Sequence, residues 1–168
     1  AVNTFRVTTY RWKGKFYFMP IAMRLGRGGI CVDNVTSGGL FIGVNNDGSL
    51  KREAMDIAGN RYVTHPDTGV VFSTHRIYGI QKVIDTAIRL HTQVPQLGVI
   101  GWDFSVNVDG EPVLIEANIR NASYRLSQMA HGCSPFLERT SEVLAWVGKM
   151  SRLSMSRRNK YCFGENIE

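Results

Sequence analysis

Asp103, Glu116 and Asn118 are the residues whose types and spacing best combine into chemistry. They sit in two β-branched, apolar runs, VIGWDFSVNV (residues 99–108) and PVLIEAN (residues 112–118), on either side of Asp109-Gly110, a strong hairpin signal. If Asp109-Gly110 is a two-residue turn, paired positions sum to 219 and Asp103 stands directly opposite Glu116. A four-residue loop makes the sum 221 and sets Asp103 opposite Asn118 instead. Strand alternation puts all three on one face in either case. The other face, Trp102, Phe104, Val106 and Val108 against Val113, Ile115 and Ala117, is expected to be core.

Two carboxylates opposed on a sheet repel, so something must hold them together. A hard divalent cation does so with oxygen ligands and keeps positions open for phosphate oxygens. A second reading is a solvated polar face screened by Arg120 or Arg125. A third is a glycosidase-like acid/base pair, which is weaker because directly opposed side chains sit too close for an inverting enzyme.

The rest of the chain must position that hairpin. Its 168 residues are the length of one domain, with apolar and charged fractions of 43% and 20% that fit a packed globular core. Thr4–Trp12 and residues 15–25 are rich in β-branched and aromatic residues and flank a plausible turn at Lys13-Gly14. Pro20 demands an edge or a bulge in the second strand. An uninterrupted hairpin sums to 27 and sets Arg6 and Arg24 on opposite faces; a bulge at Pro20 realigns them. Glycines concentrate at positions 26, 28, 29, 38, 39, 43 and 48. Leu40 to Asn45 is expected to be a short strand, and residues 51–75 irregular, with a turn at His65-Pro66-Asp67-Thr68-Gly69. The Ile77, Ile80, Ile84 and Ile88 stripe predicts a helix over 76–94, ended by Pro95. Ser134-Pro135 predicts a helix start, with Leu137, Thr140, Leu144 and Val147 on its buried face. The fold class expected is α+β, an antiparallel sheet of hairpins packed against helices.

These motifs together resemble a known family. Gly101-Trp102-Asp103 followed by Leu114-Ile115-Glu116-Ala117-Asn118 resembles the metal-binding end of ATP-grasp enzymes. Asn3-Thr4-Phe5-Arg6, Met23-Arg24-Leu25-Gly26, Val32-Asp33-Asn34 with Gly38-Gly39, and the His65 to Gly69 turn are similar to the sugar-transfer-associated ATP-grasp family, with a glutamate-ligase-like element at Asn34 to Gly39. The resemblance implies that Asp103, Glu116 and Asn118 are Mg²⁺ (or Mn²⁺) ligands. It implies that Arg24 stabilises the transferring phosphoryl group, that Arg6 clamps a phosphate or carboxylate, and that Asn34, Gly38 and Gly39 border the phosphates of ATP. The activity implied is a carboxylate–amine ligase: ATP, a carboxylate-bearing small molecule and an amine acceptor are its partners. A link to polysaccharide or cell-surface sugar pathways follows from the same resemblance, whereas the cytoplasmic setting is expected from the three cysteines, few and odd in number.

The lysine-bearing strand and adenine hinge of an ATP-grasp enzyme belong to an earlier lobe. Residues 1–147 therefore correspond to the C-terminal lobe, and 148–168 to a basic tail. The missing N-terminal lobe would lie upstream in the same chain or in a partner. The alternative is a non-catalytic nucleotide- and metal-binding half-domain that needs such a partner lobe. The net charge of +6 divides evenly: residues 1–147 hold 15 basic and 12 acidic side chains, and residues 148–168 hold 5 and 2. With no stripe of cations interleaved with stacking aromatics, nucleic-acid binding ranks low. No apolar run reaches the ~18 residues of a transmembrane helix. Three cysteines without metal-ligand spacing are expected to be reduced thiols.

Overall fold

The computed structural model describes residues 2–29, 38–120 and 122–162. Among these residues eight strands form one antiparallel sheet: β1 (Thr4–Trp12), β2 (Lys15–Phe18), β3 (Ile21–Leu25), β4 (Leu40–Val44), β5 (Ala54–Met55), β6 (Arg61–Tyr62), β7 (Val99–Val106) and β8 (Pro112–Asn118). The order across the sheet is β6-β5-β4-β3-β1-β7-β8, with β2 also paired to β1. Among the described residues four α-helices accompany the sheet: α1 (Ile80–Thr92), α2 (Arg125–His131), α3 (Thr140–Ser151) and α4 (Met155–Cys162). This is the α+β architecture that the hairpin pattern predicts.

β2 and β3 are one strand broken at Pro20. β2 pairs with β1 so that Thr9 meets Phe18, a sum of 27, whereas Arg6 meets Ala22 and Thr4 meets Arg24, a sum of 28. Val7 and Thr8 therefore face three residues, Met19, Pro20 and Ile21. Pro20 has no N–H for the ladder, and Met19 N–H donates to the Thr8 carbonyl instead. The turn before β2 is the two-residue one expected, with φ of 48° at Lys13 and 71° at Gly14.

α1 covers one face of the sheet. Ile80, Val83, Ile84 and Ala87 pack with Phe5, Val7, Met23, Leu40, Ile42, Trp102 and Phe104. The helix starts at Ile80 rather than at Arg76 because Gly79 is left-handed, with φ 85°, and a Cβ there would lie 2.6 Å from the Gly110 carbonyl. On the other face, α2 sets Leu126, Met129 and Ala130 against Phe41 and Met55. At the far end of that face, Val143 and Trp146 of α3 pack with Tyr10, Trp12 and Met19, joined by Phe136. The buried face predicted for this last helix is wrong: Leu137, Leu144 and Val147 are exposed. A 3₁₀ turn over Leu137–Arg139 comes first, and the rotated stripe is Val143 and Trp146. α3 runs through position 147, and no helix among the described residues is long and apolar enough to cross a membrane.

Candidate functional site

On the α2/α3 face of the sheet, charged side chains gather where β3, β1, β7 and β8 run side by side. Arg6 pairs with Asp103 across β1 and β7, and Arg24 lies opposite Thr4 across β3 and β1. The Pro20 bulge decides this. Without its extra residue Arg24 would point to the α1 face; with it, both arginines share the face of Asp103.

Arg6 grips Asp103 at both oxygens, Nε donating to Oδ1 at 2.5 Å and Nη2 to Oδ2 at 2.9 Å. Arg24 Nη2 lies 3.1 Å from the same Oδ2. Arg24 Nε donates to the Thr4 hydroxyl at 2.8 Å, and Asn118 Nδ2 reaches Asp103 Oδ2 at 3.4 Å. Asp103 is 2% exposed, and Arg6 and Arg24 are 12% and 15% exposed. Three charges thus sit largely out of water, and their mutual pairing offsets the cost of that burial.

Glu116 is placed by two irregularities that cancel. The turn is not Asp109-Gly110 alone but a three-residue loop, Val108 to Gly110. Gly110 is left-handed at φ 76°, and the Asn107 carboxamide oxygen accepts from the N–H groups of Asp109 and Glu111. Near the loop the pairs therefore sum to 218, as in Phe104 with Leu114. A bulge between Asp103 and Phe104 leaves Ile115 as the extra residue and restores 219, which sets Asp103 opposite Glu116 and Gly101 opposite Asn118. The expected grouping of Val113, Ile115 and Ala117 with the core is overturned, since all three are exposed. Leu114 stands opposite Phe104, and Val113, Leu114 and Ile115 are all exposed, Ile115 to 53%. Val108 is fully exposed in the loop.

Glu116 itself is exposed and makes no side-chain hydrogen bond or ion pair with the described residues. The donor set fits a hard cation in kind: two carboxylates and a carboxamide oxygen. Asp103 Oδ2 is taken up by Arg6, Arg24 and Asn118, whereas Oδ1 accepts from Arg6 Nε alone, so Oδ1, the Glu116 carboxylate and the Asn118 carboxamide oxygen are the acceptors left for it. Among the described residues no group of three or more His, Cys, Asp or Glu side chains is placed to hold a metal.

Gly26, Gly28 and Gly29 follow β3 and Gly38 and Gly39 precede β4, at one end of that strand pair, whereas Gly43 lies within β4 and Gly48 in the turn beyond its other end. Gly38 and Gly39 lead into β4, beside Leu25, and the Gly38 carbonyl accepts from Arg27 Nε at 2.6 Å. Asn34 lies outside the described residues. The His65 to Gly69 turn straps this end: His65 Nε2 bonds to the Gly26 carbonyl at 2.9 Å, and Gly28 N–H donates to Asp67 at 2.6 Å. Below it, a cavity of about 570 Å³ is walled by Met23, Leu25, Leu50, Phe72 and Ile77 on the α1 side. Arg27 is spent on structure. Its guanidinium reaches Asp56 at 3.4 Å and lies over the Tyr62 ring, and Asp56 is held down at about 2, chiefly by the Asn60 side chain.

Thr4 is the member of the site that sequence reasoning missed as a functional side chain. Its signal was present: adding one residue at Pro20 moves the pairing sum to 28 and sets Thr4 against Arg24. The Ser123 carbonyl, 3.5 Å from Arg6 Nη1, carried no such signal, because it comes from the chain crossing the sheet toward α2.

A family model described as sugar-transfer associated ATP-grasp matches residues 1–143 of this chain. No curated protein and no solved structure matches it.

Proposed function

Because this chain belongs to the sugar-transfer associated ATP-grasp family, we propose that it is the metal- and phosphate-holding C-terminal lobe of an ATP- and Mg²⁺-dependent ligase, close in kind to glutamate ligases. The observation that carries the reading is the meeting of Arg6, Arg24 and Asp103 on one sheet face beside Glu116 and Asn118. Arg24 carries positive charge to where the γ-phosphoryl group transfers, the kind of electrostatic stabilisation that phosphoryl transfer requires. Arg6 fixes Asp103 and stands ready to clamp an anionic group. Asp103, Glu116 and Asn118 hold the cation, which when bound neutralises charge on the nucleotide phosphates. Asn34 and the backbone at Gly38 and Gly39 border those phosphates.

A substrate carboxylate oxygen attacks the γ-phosphorus as the bond to the β–γ bridging oxygen breaks and ADP leaves. An amine then attacks the acyl carbon of the resulting acyl phosphate, inorganic phosphate departs, and the nitrogen loses a proton. The product is an amide, and the setting is cytoplasmic, on a route to polysaccharides or cell-surface sugars.

One observation favours a second reading, a nucleotide-binding half-domain that needs a partner lobe. β8 is an edge strand whose Val113, Leu114 and Ile115 are exposed right beside Glu116, so the site has one uncovered side. A thermal-melt titration with Mg²⁺ and ADP separates the readings from a chance arrangement, since a ligand that binds only the folded chain raises its melting temperature. The expected result is a Mg²⁺-dependent rise that Asp103→Asn and Glu116→Gln abolish. An acceptor-dependent release of phosphate from ATP then distinguishes the ligase from the half-domain.

A further inference from the structure

A cavity of about 320 Å³ lies where α3 packs on β1, at the far end of the sheet face from Arg6 and Asp103. Trp12 and Arg6 are six residues apart in β1, which is about 20 Å of extended chain. Trp12, Val143, Trp146, Val147, Met150 and Arg158 are among its walls, and no carboxylate of the described residues lines it. Arg11 borders it as well, but strand alternation turns that side chain to the α1 face, beside His91.

Two groups in these walls have donors to spare. Trp12 is 8% exposed, and its Nε1–H is buried with no acceptor among the described residues. Trp102, also buried, gives its own Nε1–H to the Thr9 hydroxyl. A buried donor without an acceptor loses what water would have given it, and a ligand oxygen restores that bond. Arg158 donates Nε to the Leu153 carbonyl and Nη2 to the Ser151 carbonyl, both at 2.9 Å and both neutral acceptors. The chain around it has the same sign: residues 143–164 include Lys149, Arg152, Arg157, Arg158 and Lys160 and no acidic residue.

We propose that this cavity is a binding site for an anion carried on a single hydrocarbon chain, of the size of a medium-chain carboxylate. The anion accepts from the Trp12 Nε1–H and faces Arg158, and the chain lies along Val143, Trp146, Val147 and Met150. An apolar pocket with a few convergent polar groups is the ordinary form of a small-ligand site, and this volume is near the lower limit for one. The occupant is a small molecule and not a lipid surface, because the Trp12 N–H is enclosed and a flat membrane does not reach it. The site shares no residue with the Arg6, Arg24 and Asp103 cluster, so it stands independently of the ligase reading.

The test uses the 168-residue chain with octanoate, 8-bromooctanoate and the uncharged 1-octanol. Bromine quenches a neighbouring indole, and Trp12 and Trp146 both line the cavity. Saturable quenching by 8-bromooctanoate is expected, and Val147→Trp, which fills the cavity from an exposed position, should abolish octanoate binding in calorimetry while the chain still melts cooperatively. Trp12→Phe keeps the ring and removes the donor, and should weaken octanoate about tenfold. Arg158→Gln should weaken it by up to about fivefold, as for an exposed ion pair. Arg158→Gln alters only an exposed side chain, so it reads the anion even if Trp12→Phe does not fold. Octanol that binds as tightly as octanoate, or octanoate affinity unchanged in Arg158→Gln and in folded Trp12→Phe, overturns the anion site. Absence of octanoate binding at millimolar concentration overturns the site altogether. If the chain then still sediments with phosphatidylglycerol vesicles, and Val147→Trp does too, the basic end is a membrane contact instead.

Discussion

Two buried polar clusters lie back to back on β1 and β7, one on each face of the sheet. On the α1 face, Trp102 Nε1–H donates to the Thr9 hydroxyl at 2.8 Å, the hydroxyl meets His91 Nδ1 at 2.8 Å, and His91 Nε2 meets the Leu97 carbonyl at 2.9 Å. On the other face, Arg6 and Arg24 meet Asp103. His91 and Asp103 are about equally buried. The neutral chain closes on itself, with one donor for each acceptor, and no group is left to act on anything else. Among the described residues the charged cluster sets two cations against one carboxylate, and a second carboxylate, Glu116, stands opposite in the register with no side-chain partner. Burial of a polar side chain therefore does not mark a site here. A set of unspent groups next to it does.

The sharpest way to break the comparison is to remove one charge. Asp103→Ala leaves two guanidinium groups in a dry setting and is expected to destabilise the chain by about 3–5 kcal/mol. His91→Leu leaves the Thr9 hydroxyl and the Leu97 carbonyl short of a partner and is expected to cost about 1–3 kcal/mol per orphaned group. Urea unfolding compares the two. A loss in Asp103→Ala no larger than about 1 kcal/mol would mean that the charged cluster is solvated like an ordinary surface pair.

Acid separates the faces next. Burial, above all, pushes the His91 imidazole below its ordinary 6.5, with nearby Arg11 acting the same way and the Leu97 carbonyl opposing. Burial likewise lowers His131, which bonds to the Ile21 carbonyl at 2.8 Å. The unfolded chain takes up these protons more readily than the folded one. Their stabilisation is thus complete above pH 6.5 and is lost as the pH falls below it toward the depressed folded values. Stability measured from pH 7.5 down to about 5 should decline, and His91→Leu should flatten part of that slope. An unchanged slope in the variant assigns the whole decline elsewhere.

The sequence showed the strands more plainly than the helices, for physical reasons. β1 and β8 have the bounds expected from β-branched alternation. Of the two registers open to the hairpin, the two-residue turn sets Asp103 opposite Glu116, and the structure has that pairing although the turn is one residue longer, because the Ile115 bulge compensates. α2 was illegible. Its seven residues, RLSQMAH, are too short to form a helix alone, and only contact with Phe41 and Met55 makes them one. The arginines were half legible: Pro20 announced a bulge, but only the structure shows that it inserts a single residue and so brings Arg24 to Asp103.

The smallest effect on stability should come from the residue with the largest effect on binding. Glu116 is exposed, and its side chain has no partner among the described residues, so Glu116→Gln removes no contact. It also relieves repulsion with Asp103 directly across the strand pair, a gain of about 0.2–1 kcal/mol at most. The chain should melt within about 0.5 kcal/mol of wild type. Its Mg²⁺-dependent stabilisation by ADP should nevertheless disappear. If Glu116→Gln were instead strongly destabilising, Glu116 would be part of the charged cluster's own cohesion. The contrast with His91 would then be one of charge alone, and no longer of a closed network against an open one.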